Sequence, residues 1–519
     1  MFFDVFKGFL RNRIPACLAF FLTSLPSQGA LRVQSTLDDG WKFFLGDDSG
    51  ASAIGFDDAA WRAVTLPHDW SIEGKFDPAA PMGAAGGFLP AGIGWYRLHF
   101  DAPEKWAGRK VLVEFEGIYQ HAQVFCNGRL LAEHPYGYSG FVVDLTPALK
   151  PGGENVLAVR VDNSQQKNSR WYSGSGIYRH VRLTVSDPLH MAPWGVFVTT
   201  PSASADAATV QVRTKIQNDR ETKESAVVQT TLIGPDGAEL GKGEPVEAMP
   251  AAGGSCGVDQ KIFLKNPPLW SPGSPKMCAA VTRIYVGSEL VDEVRTPFGI
   301  RHLAWSAAHG LTINGKTVKL NGGCIHHDNG VLGACAFDWA EERKIELLKA
   351  SGFNAIRTAH NPPSPALLDA CDRMGMLVME EAFDCWTTEK NKYDYSTVFK
   401  DWWERDIDAM VLRDRNHPSV VMWSIGNEIP EIFDAKGGEY GPKLADRVRE
   451  NDATRPVTNG ILGWPDNPDK PSPKDAERRK NALLNWDSHD IVGSNYRLYA
   501  LVAEQGRFPG RAVVETESL

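Results

Sequence analysis

Val420-Val-Met-Trp-Ser-Ile-Gly-Asn-Glu428 opens as an unbroken apolar run and closes on an amide and a carboxylate. Four apolar residues in succession, without polar alternation, fit a strand covered on both faces. An amphipathic helical segment precedes it at residues 399–415, and another follows at 443–450. A buried strand between helices is the repeating unit of a parallel sheet with right-handed crossovers. The unit recurs outward in both directions. Strands are expected to begin near Val318-Lys-Leu-Asn321, Asn354-Ala-Ile-Arg357, Leu377-Val-Met379, Pro456-Val-Thr458, Ile491-Val-Gly493 and Ala512-Val-Val514, with further helices at 341–350 and 365–374. Such a series over residues 301–519 predicts a (β/α)8 TIM barrel truncated after its seventh strand, with an open seam where an eighth unit would close it.

The texture upstream differs. Residues 31–188 hold short alternating segments such as Val111-Leu-Val-Glu-Phe-Glu116, and Ala122-Gln-Val-Phe-Cys126 runs directly into Asn127-Gly128. Asn-Gly after an alternating run marks a hairpin, and helical periodicity is nearly absent, so a β jelly roll is expected. Residues 189–300 are again strand-like, as in Ala208-Thr-Val-Gln-Val-Arg213, with Pro- and Gly-rich links. Their length and spacing predict an immunoglobulin-like β sandwich.

Bulk composition narrows the function classes. The chain has 519 residues, 43% hydrophobic and 23% charged, as ordinary globular domains do. A formal net charge of -9 disfavours nucleic acid as a partner. Lys7, Arg11 and Arg13 precede an apolar segment too short to span a bilayer, and small residues follow at Ser27, Gly29 and Ala30. Residues 1–30 are therefore expected to be a cleaved signal peptide, leaving a periplasmic or secreted protein with no membrane attachment. Seven cysteines lie outside that segment, with neither CxxC nor metal-type spacing.

In a barrel of this kind chemistry sits at the C-terminal ends of the strands. Following each expected strand come His326, His327 and Asp328; Arg357 and His360; Glu380, Glu381, Asp384 and Trp386; Asn427 and Glu428; Asn495 and Tyr496; and Glu515 and Glu517. Hydrogen-bonding groups converging on one rim suit a polyhydroxylated ligand. Two carboxyl groups facing each other across a sugar can split a glycosidic bond, one protonating the leaving oxygen and the other attacking carbon. Glu428 and Glu517 are the candidates, with Asn427 set to bind a 2-hydroxyl, and Arg357 and Tyr496 set to orient Glu517. Glu515 lies two residues from Glu517, and side-chain alternation alone does not choose between them. Glu431 is a similar rival to Glu428.

Asn354-Ala-Ile-Arg-Thr-Ala-His-Asn-Pro-Pro363, Asp414-Arg-Asn-His-Pro-Ser-Val-Val-Met-Trp-Ser-Ile-Gly-Asn-Glu428 and Val513-Val-Glu-Thr-Glu517 resemble the signatures of glycoside hydrolase family 2. Leu66-Pro-His-Asp-Trp70, Gly94-Trp-Tyr-Arg97 and Trp171-Tyr-Ser-Gly-Ser-Gly-Ile-Tyr-Arg179 resemble its sugar-binding jelly roll, and Phe298-Gly-Ile-Arg301 its barrel entry. The resemblance spans residues 31–519 and implies a retaining exo-glycosidase, with Glu428 as acid/base and Glu517, flanked as the family's nucleophile is, as nucleophile. His326, Arg357, His360, Asn427 and Tyr496 match positions that touch substrate or nucleophile in relatives, and Asp384 and Trp386 are further expected sugar contacts. Met379-Glu-Glu-Ala-Phe-Asp-Cys-Trp386 and Cys324-Ile-His-His-Asp-Asn-Gly330 look most like a secreted bacterial β-galactosidase branch, so terminal β-galactosides are the expected substrate. The alternatives are β-glucuronidase, β-mannosidase, or a truncated carbohydrate-binding protein without turnover. No Asn-x-Lys motif of the kind that would hold a uronate follows the acid/base. A lactose-cleaving branch holds magnesium through a Glu and a His after the third strand. Cys385 and Thr387 stand at those positions here, so no metal and no cofactor is expected. A homo-oligomer is compatible with the sequence.

Overall fold

The computed structural model of the chain describes residues 31–462, 473–497, 506 and 508–518. The leader expected at 1–30 lies outside the described residues.

Two β sandwiches come first. In the first, Arg62–Val64, Trp41–Leu45, Gly92–Ala102, Gly153–Asn163, Ala122–Cys126 and Arg129–His134 form one antiparallel sheet, in that order. Val33–Thr36, Val181–Ser186, Lys110–Phe115 and Phe141–Asp144 form the other. Alternate residues from both sheets, among them Trp41, Val113, Phe115, Val124 and Val159, close an apolar core between them. The Asn127-Gly128 hairpin is present, with Asn127 at φ 53 and Gly128 at φ 85, the left-handed pair such a turn requires. In the second sandwich, a sheet of Leu189–Ala203, Ala207–Asn218 and Ser255–Lys265 faces one built around Ala226–Ile233, Cys278–Val286 and Glu289–Phe298. The burial pattern eBeBeBeB along Ser255–Lys265 shows the period of two directly.

The third domain is a parallel sheet of seven strands, labelled here β1 (Gly322–Ile325), β2 (Ala355–Thr358), β3 (Leu377–Glu381), β4 (Val420–Asn427), β5 (Val457–Leu462), β6 (Val492–Asn495) and β7 (Val513–Glu517). They follow chain order across the sheet and every pair is parallel. Helices α1 (Asp338–Ala350), α2 (Pro365–Met374), α3 (Phe399–Asp414), α4 (Gly437–Asn451) and α5 (Pro473–Asp487) form the outer layer. All eight residues of β4 are buried, as its apolar run predicts. Helix α2 starts on Pro365 after Ser364, whose hydroxyl accepts the Leu367 N–H, and stops at Gly375 in the left-handed region.

One expected strand is displaced. The segment Val318-Lys-Leu-Asn321 is not the first barrel strand, which begins at Gly322. Val318 and Leu320 instead pack with Trp270, Leu311, Ile313, Ala355, Leu377 and Val421, forming a plug at the N-terminal end of the barrel. Apolar alternation marks a buried face but not which body buries it. Strands β1 and β7 are the outer members of the sheet and pair with no eighth strand among the described residues.

Candidate active site

Glu381, Asn427, Asn495 and Glu517 are each the last residue of their strand. Parallel strands end on one rim, so these polar groups converge. At the centre lies Arg357 of β2, its side chain 4% exposed. Its Nε and Nη2 grip both oxygens of Glu381 at 2.7–3.0 Å. Nη2 also donates to Asn427 Oδ1 at 2.8 Å, and Nη1 donates to Glu517 Oε2 at 2.9 Å. Burial by itself would lower the guanidinium pKa, but the Glu381 carboxylate, with Glu517 behind it, raises it above its ordinary value. Burial likewise opposes the charge on Glu381, yet Arg357 and His360 hold that carboxyl below its ordinary value. His360 is fixed by Nδ1 at 2.6 Å from Glu381 Oε1.

Glu517 is held from three sides. Besides Arg357, it accepts a very short hydrogen bond from the Tyr496 hydroxyl, and Asn495 Nδ2 lies 3.3 Å from its Oε2. The bond to Glu517, more than burial, pushes the Tyr496 phenol up to about 12, so it remains a donor. The same Asn495 nitrogen lies 3.1 Å from Glu428 Oε1. Those two carboxylate oxygens are therefore no farther apart than the sum of the two distances.

Glu428 follows β4 with φ 45, and Tyr496 follows β6 with φ 59. Non-glycine residues in this region carry strain that the surroundings must offset. Here the Glu428 N–H donates to the Gly460 carbonyl and the Tyr496 N–H to the Glu517 carbonyl, both at 2.6 Å. The sharp turn at each strand end aims the next side chain into the mouth.

The rivals have other partners. Glu515 Oε1 accepts from the Arg497 N–H at 2.6 Å. A register shift between Ser494 and Asn495 pairs Glu517 with Asn495, so β7 is not a simple alternating strand at its end. Glu431 is buried, and its Oε1 accepts from the Thr387 hydroxyl at 2.7 Å and the Thr388 N–H at 2.5 Å. Glu380 faces away from Glu381 and is buried, where desolvation and the Asp414 carboxylate push its carboxyl well above the usual range.

The first sandwich supplies one wall. Trp171 stacks on His326 with centroids 4.9 Å apart and meets His360 edge-on at 5.4 Å. Burial lowers the His326 pKa, favouring the neutral imidazole, and its Nδ1 finds no partner among the described residues. Arg170 forks onto Asp384, Nε at 2.8 Å and Nη2 at 2.6 Å. Asp384 also takes Lys390 Nζ at 3.0 Å and Asn427 Nδ2 at 2.9 Å.

One expected sugar contact is displaced. Trp386 is 0% exposed, its indole N–H donates to the Ile425 carbonyl, and its ring packs on Phe399 beneath the rim. It belongs to the apolar core, and its place in Phe-Asp-Cys-Trp does not distinguish rim from core. Of the positions compared with a magnesium pair, Cys385 is buried and Thr387 is bonded to Glu431.

Arg170, Trp171, Glu381, Lys390 and Asn495 join the cluster without having been assigned a role from sequence. Glu381 and Asn495 were visible as rim positions, and Trp171 lies in a recognisable motif. Nothing local marks Arg170, whose partner is 214 residues away.

Comparison with known proteins places these features. Residues 35–187 match the family model described as glycosyl hydrolases family 2, sugar binding domain, 194–301 glycosyl hydrolases family 2, and 307–464 its TIM barrel domain. A curated relative, beta-galactosidase BoGH2A of Bacteroides ovatus, is 40% identical over 94% of this chain and 59% of its own length. A putative beta-glucuronidase of Formosa agariphila is 34% identical over 88% of this chain and 42% of its own length. Among solved structures, a glycosyl hydrolase family 2 member from Bacteroides cellulosilyticus has TM-score 0.88 at 41% identity, covering 93% of this chain and 61% of that one. Bacteroides uniformis beta-glucuronidase 2, covalently bound to cyclophellitol-6-carboxylate aziridine, has TM-score 0.78 at 26% identity, covering 93% of this chain and 58% of that one. The chain thus spans about 60% of the length of the first of these relatives.

Proposed function

The chain belongs to glycoside hydrolase family 2, and from that premise we propose that it is a retaining exo-β-glycosidase acting on terminal β-D-galactosides. Glu517 is the nucleophile and Glu428 the acid/base. The Glu428 carboxylic acid protonates the glycosidic oxygen as the Glu517 carboxylate attacks the anomeric carbon, releasing the aglycone and forming a glycosyl ester. The Glu428 carboxylate then takes a proton from water as that water attacks the same carbon, and Glu517 leaves as the carboxylate. Arg357 and the Tyr496 hydroxyl hold Glu517 aimed before attack.

The observation that carries this reading is the single Asn495 nitrogen within 3.1 Å of Glu428 and 3.3 Å of Glu517. One nitrogen bridging both carboxylates supports the close pairing of about 5–5.5 Å used in double displacement over the roughly 6.5–9.5 Å of an inverting pair. The decisive experiment follows an aryl β-galactoside by NMR and identifies the anomer released first. A β-anomer agrees with double displacement, and an α-anomer rules it out.

Two observations favour a neutral sugar over a uronate. The galactosidase relative is the more similar of the two curated relatives described. The mouth also holds Glu381, Asp384 and Glu517 matched against Arg170, Arg357 and Lys390, with Glu428 protonated as the acid, so each of these three cations already has a carboxylate partner and none is left for a uronate. A panel of aryl galactoside, glucuronide and mannoside decides the sugar. Export through residues 1–30 is part of the same proposal, and the N-terminal sequence of the protein recovered from the periplasm or medium tests it.

A further inference from the structure

Asn427 has an accessible surface of 0%, and its amide is bracketed by opposite charges. Its Oδ1 accepts from Arg357 Nη2 at 2.8 Å and faces Asn495 Nδ2 at 3.3 Å. Its Nδ2 donates to Asp384 Oδ1 at 2.9 Å. Turning this amide over would set its oxygen against the Asp384 carboxylate and its N–H groups against the Arg357 guanidinium, replacing two attractive contacts with two repulsive ones. Asp384 is in turn held by the Arg170 fork and by Lys390, which keep its carboxyl well below the usual range against the opposing effect of burial. Lys390 Nζ also donates to the Asn427 carbonyl at 2.7 Å, tying the main chain to the same cluster.

We propose that Arg170 and Asp384 form a positioning relay from the first sandwich into the barrel, fixing the Asn427 amide so that it offers the substrate's 2-oxygen an N–H and not an acceptor. The inference rests on the glycosidase reading above, but only in requiring a pyranoside with oxygen at carbon 2. One Nδ2 hydrogen serves Asp384; the proposal assigns the other to the sugar's 2-oxygen, which must enter the rim around an amide that is closed to solvent. Contacts at this oxygen strengthen as the transition state forms. The relay therefore acts on catalysis through Asn427, and it makes the first sandwich part of the active site.

The test compares an aryl β-galactoside with its 2-deoxy analogue in Arg170→Met, Arg170→Lys and Asp384→Asn. Arg170→Met and Asp384→Asn are expected to lower kcat/KM by about 10²-fold on the 2-hydroxy substrate, mostly through kcat. On the 2-deoxy substrate the loss should shrink to about threefold or less, since the contact being positioned is gone. Arg170→Lys, with charge but no fork, should fall between. Equal losses on both substrates would overturn the relay. Arg170 is exposed, so its variants answer the question even where Asp384→Asn does not fold. Neutron diffraction of Arg170→Met supplies a readout independent of the sugar. A mixed orientation of the Asn427 amide supports the relay, and one unchanged orientation sinks it. A wild-type protein inert toward galactosides would remove the substrate assignment while leaving this second measurement intact.

Discussion

Arg357 Nη1 sits 2.9 Å from Glu517 Oε2. This pairing joins β7 to β3 through β2, because the same guanidinium is anchored on Glu381 from its other edge. Arg357→Met is expected to cost both activity and stability. Removing one partner leaves Glu381 buried without its counter-charge, at a cost of about 3–5 kcal/mol. Thermal unfolding checks this, and a melting temperature within a degree of wild type would contradict it.

Glu517→Gln should reduce turnover of an aryl β-galactoside by roughly 10³-fold or more, because the amide cannot form the glycosyl ester. Glu428→Ala should be comparably slow on poor leaving groups. It should recover partly when azide is added to a substrate with an activated leaving group, giving a β-glycosyl azide. Recovery with an α-azide would instead require a different assignment.

Tyr496→Phe removes one of the donors on Glu517 while Arg357 stays in place. The expected loss in kcat is about 10- to 100-fold, with KM little changed. A change confined to KM would show that Tyr496 binds sugar and does not act on Glu517.

Trp171 and Trp386 should separate cleanly. Trp171→Ala removes the ring stacked on His326 at the mouth and should raise KM with little change in melting. Trp386→Ala empties a buried core position, for which about 3–5 kcal/mol of stability is lost. A Trp386→Ala variant as stable as wild type would contradict its place in the core.

His417 predicts a pH dependence of stability. Burial alone would lower its pKa, but Asp372, whose Oδ2 lies 2.6 Å from His417 Nδ1, with Asp369 and Asp414 behind it, raises it from 6.5 to about 9. A raised histidine stabilises the fold fully below about pH 6.5, and that contribution is lost as pH rises through 9. Its size is about 3 kcal/mol for a shift of this order. His417→Gln should flatten the denaturation free energy between pH 6.5 and 9, and an identical slope in both proteins would refute the pairing.

The strands and helices of the barrel are legible in the sequence where burial is two-sided or strictly amphipathic, as in β4 and α2. Legibility fails where a local pattern has two possible hosts. Val318 and Leu320 alternate like a strand but plug the barrel floor. Trp386 occupies a rim motif but turns into the core. The candidate carboxylates could be read from strand ends, whereas a register shift decides how Glu517 rather than Glu515 meets Asn495. Arg170 shows the other limit, because a contact across 214 residues leaves no trace in periodicity or spacing.

Strand β7 bonds to β6 alone among the described strands, yet it ends on Glu517. The proposed nucleophile therefore sits on one of the two outer strands of the sheet. Cys324 Sγ and Arg357 Nη1 reach the Thr516 carbonyl at 3.5 and 3.2 Å, so side chains from β1 and β2 brace β7 directly. Under the proposed mechanism, a small shift of β7 registers as a mis-aimed Glu517.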